Sequence, residues 1–150
     1  MENFDRMVDE LQQQIIEQMR GIYSDKVIKG FYHPQNMGRM PEADARGVVH
    51  GGCGDTMQIE LRLNGEHIEK ASFVTDGCGP TTACGSVLTT LIQGMSLEEA
   101  CRIKPQDLIA ALDGLPEESA HCAELAINTL REAIAHYHPC AAADDASAVG

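Results

Sequence analysis

The chain of 150 residues contains no tryptophan and little aromatic content, three Tyr and three Phe. A core built from it must therefore rest on Leu, Ile, Val, Met and Ala. Cations are scarce too: Lys and Arg number 11 against 23 Asp and Glu, for a formal net charge of −12. That shortage argues against nucleic acid, which is held through clustered Lys and Arg. The same balance favours solubility and a basic protein partner. Apolar runs long enough to cross a bilayer are missing, so no membrane partner is expected. The opening MENFDRMVDE is acidic and lacks a continuous apolar stretch, unlike a secretory signal, so the expected compartment is cytoplasmic. There the six cysteines are expected as reduced thiols, suited to metal or sulfur chemistry more than to a disulfide framework. None of them forms a C-x-x-C pair, which removes the commonest short metal-ligand signature.

What is present is patterned. Phe4, Val8, Leu11, Ile15, Met19 and Ile22 recur every three or four residues, which predicts an amphipathic helix as an extension over residues 1–22. Such a helix packs on its own domain in the plainer reading. The alternative is a self-association stripe and a homodimer. From Tyr23 to Gly52 the chain is irregular apart from a short helix around Asp25–Phe31, and a loop that long is usually functional or mobile. Met57, Ile59, Leu61 and Leu63 alternate with Gln58, Glu60 and Arg62, the signature of a strand with one buried face. Asn64-Gly65 reads as a hairpin turn in which both residues take positive φ, leading to a second strand over about 67–74. A third strand is placed near residues 47–50.

Helical signals follow. Pro80 starts a helix whose apolar face carries Ala83, Val87, Leu88, Leu91 and Ile92, and Gly94 ends it. Ser96 with Glu99 forms a capping box for a short helix, Pro105 opens another, and the last begins after Pro116. The expected class is α+β: a small antiparallel sheet of about three strands packed against several helices, preceded by the extra N-terminal helix. The domain proper is placed at 23–138, and 139–150 reads as a disordered tail.

Three places carry chemistry. Cys53-Gly54-Asp55 lies between a glycine-rich loop and the first long strand, where alternation sends residues 53 and 55 to the same side. Cys78 sits between glycines just before a helix, and His121-Cys122 falls in the first turn of the last helix. At both positions the positive end of a helix favours thiolate over thiol. The three thiols are expected to share one exposed rim. With a carboxylate or imidazole they make a four-ligand set for zinc or an iron–sulfur cluster. The rival is a cysteine nucleophile with a histidine base. Against it, His121 and Cys122 are neighbours on a helix and their side chains diverge by roughly a hundred degrees, too far to pair directly. Cys101 reads as a lone buried thiol. Cys84, in the first turn after Pro80, looks either toward the rim as a spare soft ligand or into a gap between helix and sheet.

YSDKVIKGFYHPQNMG, then GCGD, the hairpin, GCG with its helix, GMSLEEA and finally LP with HC resemble, in that order, the U-type iron–sulfur cluster scaffold family (IscU and the N-terminal domain of NifU). The resemblance runs from about Tyr23 to Tyr137. It implies a scaffold or carrier, not an enzyme with turnover of its own. Such a scaffold receives persulfide sulfur from a cysteine desulfurase and iron from an iron donor or frataxin-like protein. It then assembles a [2Fe-2S] cluster and passes it to apo iron–sulfur acceptor proteins. By the same resemblance Cys53, Cys78 and Cys122 are ligands, Asp55 and His121 are fourth or exchange ligands, and Cys122 accepts the persulfide. Zinc is a substitute at the same site, and a zinc-containing persulfide shuttle is the alternative reading. LPEES stands where the family usually has an LPPVK-like segment read by an Hsp70-type chaperone, and Cys84 stands where a small residue such as Ser is more usual.

Overall fold

A computed structural model describes residues 2–51, 54–77, 79–135 and 137. The element order is α1 (Glu2–Arg20), α2 (Asp25–Tyr32), β1 (Ala45–His50), β2 (Thr56–Asn64), β3 (His67–Thr75), α3 (Gly79–Ile92), α4 (Leu97–Cys101), α5 (Pro105–Ala111), a 3-10 turn (Glu117–Ser119) and α6 (Ala120–Ala135). The three strands form one antiparallel sheet in the order β1-β2-β3. Helix α6 packs on β1 and β2, and α3 lies on β3 and against α6. The apolar face of β2, Met57, Ile59 and Leu61, is fully buried between these helices and the sheet, together with Phe73 of β3 and Leu130 and Ile134 of α6.

The hairpin forms one residue later than its sequence signal. Asn64 still pairs with His67, so the turn is Gly65-Glu66, and Gly65 takes φ +65°. A bulge between Arg62 and Leu63 shifts the register, and the Glu66 carbonyl is held by the Leu97 N–H at 2.8 Å. The capping box of α4 forms as expected, with Ser96 and Glu99 each bonding the other's backbone N–H at 3.1 Å.

Two expectations are corrected. The plainer reading of α1 fails: its described side chains are all exposed, with Phe4, Leu11 and Ile15 each about half or more in solvent. The Arg20–Asp25 ion pair at 3.4 Å and the four-residue link 21–24 carry α1 directly into α2 without folding it back over the domain. The apolar face of α3 is also not a stripe. This helix is buried nearly all round through small residues (Thr81, Thr82, Gly85, Ser86, Thr89), whereas Leu91 stands exposed. Hydroxyls make that possible, because Thr89 donates to the Gly85 carbonyl at 2.7 Å and so satisfies itself inside the core.

The long connection from α2 to β1 is pinned to the sheet. The Gly38 N–H donates to the Phe73 carbonyl at 2.8 Å, and the Phe73 N–H donates to the Asn36 carbonyl at 3.0 Å. Farther along, Glu60 of β2, 1% exposed, accepts from Arg39 Nε (2.9 Å), the Met40 N–H (3.2 Å) and Arg46 (2.9 Å). Burial pushes the Glu60 carboxyl up, but hydrogen bonds from Arg46, Met40 and Arg39 and the charge of Arg46 outweigh it and hold the group below the usual carboxylate range. A depressed folded pKa stabilises the fold above the unfolded value and loses that contribution as pH falls through the folded one. Glu60→Gln is therefore expected to lower stability at neutral pH by about 1–3 kcal/mol, because two half-exposed guanidinium groups lose their anion. It should also flatten the loss of stability below pH 4.5. Urea midpoints for both proteins from pH 3 to 7 check this, and parallel acid limbs would refute it.

Candidate functional site

The site lies where β2 begins and two helices start. A tight turn precedes β2: the Gly51 N–H donates to the Asp55 carbonyl at 2.6 Å and the Gly54 N–H to the Gly51 carbonyl at 3.1 Å, with Gly54 at φ +96°. That turn delivers the Asp55 side chain to the N-terminal end of α3. There Thr81 Oγ1 stands 3.2 Å from Asp55 Oδ2 and 3.1 Å from Cys122 Sγ in the first turn of α6. A hydroxyl has one hydrogen, so Thr81 donates to one of the two groups at a time and is the bridge between them. Gly77 makes the approach possible. A Cβ there would lie 2.8 Å from Thr81 Cγ2 and 3.0 Å from Asp55 Oδ2, closer than real side chains pack.

The imidazole of His121 joins the same cluster. Its Nε2 is 3.7 Å from Cys122 Sγ, although the two residues are adjacent on α6. This corrects the expectation that they diverge too far to meet. The helical rotation of about a hundred degrees fixes the Cα–Cβ directions, but an imidazole extends far enough to swing back across the helix start. His121 is exposed while Cys122 is 1% exposed, so the thiol lies under the surface and not on an open rim as expected. Its inward position follows from α6, which turns Cys122, Leu125 and Ala126 toward the core together.

Thr81 and Cys122 each occupy the first turn of a helix, so two positive dipole ends face the same spot. Beside it, Val49, His50, Gly51, His121 and Glu124 line a small cavity of about 160 Å³.

Of the residues singled out from sequence, Asp55 and Cys122 meet through Thr81 and His121 lies against Cys122, but among the described residues no three His, Cys, Asp or Glu side chains stand close enough to hold a metal ion. Cys53 and Cys78 lie outside the described residues; along the chain they stand two residues before Asp55 and one before α3. Cys84 does not reach the rim. It is fully buried in the core cluster, because one residue beyond Ala83 on a helix covered nearly all round still points inward. Cys101 is buried and disulfide-bonded, which corrects the expectation of six reduced thiols, since sequence spacing does not tell which sulfurs a fold brings within bonding distance. Thr81 is the residue that sequence reasoning missed. Its only signal was a hydroxyl in the first turn after a cysteine-glycine-proline junction.

A family model described as the NifU-like N terminal domain matches residues 22–143. An iron-sulfur cluster assembly scaffold protein IscU from Archaeoglobus fulgidus is 39% identical over 117 residues, covering 77% of this chain and 76% of that protein. The corresponding protein of Escherichia coli is 39% identical over 120 residues, covering 77% of this chain and 93% of its own. Among solved structures, the N-terminal part of a nitrogen-fixing NifU-like protein from Brucella abortus superposes with TM-score 0.60 at 18% identity, over 75% of this chain and 92% of that one, a likeness of fold.

Proposed function

The chain belongs to the NifU-like N-terminal domain family, and from that premise we propose that it is a scaffold on which a [2Fe-2S] cluster is assembled and then passed to apo-proteins. The observation that carries this reading is the convergence of Asp55 and Cys122 on Thr81 between two helix N-termini, with His121 alongside. In this reading Cys53, Cys78 and Cys122 supply thiolates, and Asp55 and His121 compete for the fourth position. The scaffold domain proper spans 23–138. Buried Cys84 keeps a packing role and is left out of the ligand set.

The chemistry suits a donor set that must let go. Carboxylate oxygen is a harder ligand than thiolate and holds an iron–sulfur core less firmly. Sulfur enters when the Cys122 thiolate attacks the terminal sulfur of a desulfurase persulfide. A new S–S bond forms on Cys122, the donor S–S bond breaks, and the donor cysteine leaves as thiolate, with no net redox change. Turning that sulfur into cluster sulfide takes two electrons from an added reductant. Because Cys122 is covered, His121 or its neighbours must move aside before a partner's sulfur arrives. Partners of this scheme are a cysteine desulfurase, an iron donor of frataxin-like kind and apo-acceptors.

Anaerobic reconstitution with iron, cysteine, a desulfurase and dithiothreitol tests the reading. It should give a coloured protein with iron and sulfide in about equal amounts. A colourless protein that holds zinc and carries persulfide would replace it with a sulfur shuttle. In Asp55→Ala the cluster should persist longer and reach an apo-ferredoxin about tenfold more slowly, since the labile oxygen ligand is gone. If lifetime and transfer rate both match wild type, Asp55 takes no part in release.

A further inference from the structure

Two features of the molecule are unused by cluster assembly, and each has the shape the other lacks. The first is α1, whose apolar side chains Phe4, Val8, Leu11 and Ile15 stand in solvent on one stripe. In sequence this helix carries five carboxylates against two guanidinium groups, so the stripe is edged with negative charge. Within the chain α1 touches mainly the neighbouring α2, without burying its described apolar side chains there.

The second is a cleft of about 340 Å³ between α2 and α3, lined also by Ala111. Gly30, Val87 and Leu91 supply apolar lining, and Lys26, Lys29 and His33 line it as well. Lys26 is paired with Asp113 at 3.5 Å, both side chains more than half exposed, which leaves Lys29 as the main cation of the cleft. Exposed Phe31 adds apolar surface on the same helix. In a chain of net charge −12, this cleft is lined by two lysines and a histidine with no carboxylate among its described lining residues.

We propose that α1 of one copy docks its stripe in the α2–α3 cleft of a second copy, and reciprocally, so that the chain forms a helix-swapped dimer. Charge complementarity selects the occupant: the acidic-edged helix fits a basic-lined apolar cleft, whereas two α1 helices laid together would bring carboxylates against carboxylates. The volume admits one or two of the α1 side chains, with the remainder covering Phe31 and Leu91. No described α1 side chain lines the cleft of its own chain, and exchange of an identical element closes the assembly on a two-fold axis. Dimerisation is independent of iron and sulfide, so it is tested on the metal-free chain.

Light scattering should give wild type twice the mass of one chain, 16.2 kDa. Leu11→Glu with Ile15→Glu spoils the stripe, and Leu91→Glu spoils the cleft. All three positions are exposed, so folding should survive, as far-UV circular dichroism would verify. Each variant should raise the dimer dissociation constant at least about tenfold. Mixing the two variants should restore a dimer, since one intact stripe meets one intact cleft. A monomeric wild type overturns the proposal, as does a dimer that Leu91→Glu leaves untouched, which would mean that stripes pair with stripes. Failure of the mixture to associate would overturn the reciprocal exchange as well.

Discussion

Cys122→Ser is expected to leave the fold standing and to end cluster assembly. Serine is smaller by little more than the difference between sulfur and oxygen. Its hydroxyl can still meet Thr81, which lies 3.1 Å from the present sulfur. The buried position is therefore filled and hydrogen-bonded, and the thermal midpoint should move by only a few degrees. Chemistry suffers far more. Oxygen cannot carry a persulfide, and a serine hydroxyl near neutral pH offers neither the charge nor the softness that iron–sulfur cores require. Sulfide retained after anaerobic reconstitution and desalting should fall at least about tenfold. The same loss is expected for Cys53→Ser and Cys78→Ser, and none for Cys140→Ser, outside the proposed ligand set. Wild-type sulfide content in Cys122→Ser would remove this residue from the site.

The largest structural effect is expected from a single methyl group at Gly47. This residue lies in β1, where the sheet meets α6 at its closest. An added Cβ would sit 2.4 Å from the Ala133 nitrogen and 2.6 Å from the Thr129 carbonyl oxygen. Both are backbone atoms of a helix, so no side-chain rotation relieves the clash. Either β1 or α6 must shift by about an ångström, and buried Ile59 and Leu130 lose contacts as it does. Gly47→Ala should cost about 3 kcal/mol or slightly more, a large part of the roughly 5–15 kcal/mol that a domain has. Urea unfolding monitored by circular dichroism reads it as a lowered midpoint at unchanged slope. A midpoint within error of wild type would mean that the two elements sit farther apart than described.

Gly47 also illustrates how far the sequence could be read. Its place in or near a third strand was visible from the residues around it, but its reason was not, because the helix that forbids a side chain there lies more than eighty residues away. Local signals served well wherever the cause was local. The alternation of Met57, Ile59 and Leu61, the Ser96–Glu99 box and the proline at the start of α3 each depend on neighbours within a few positions. The family itself was legible from the ordered cysteine motifs, and the comparisons bear that out. What escaped was set by distant partners. Glu60 looked like an outward strand residue, and two arginines from other segments bury it. Thr81 drew no reading as a site residue, and Asp55 and Cys122 meet on it from 26 residues before and 41 residues after. Cys84 and the enclosed face of α3 looked amphipathic because small hydroxyl residues resemble surface residues in any hydropathy pattern.

The pinned segment around Met37 has a consequence for colloidal behaviour. An antiparallel sheet of three strands has two free margins, and each is a template onto which a foreign strand can be added. Met37 bridges Phe73, and the neighbouring amide and carbonyl groups are already spent on β3. That margin offers little to another chain. The other margin belongs to β1, six residues long and carrying Arg46 and the side-chain-free Gly47. A strand this short, with a cation and a glycine at its middle, is a poor nucleus for cross-β stacking. When the protein is concentrated, the sheet is thereby guarded on one side by its own connecting loop and on the other by brevity and charge.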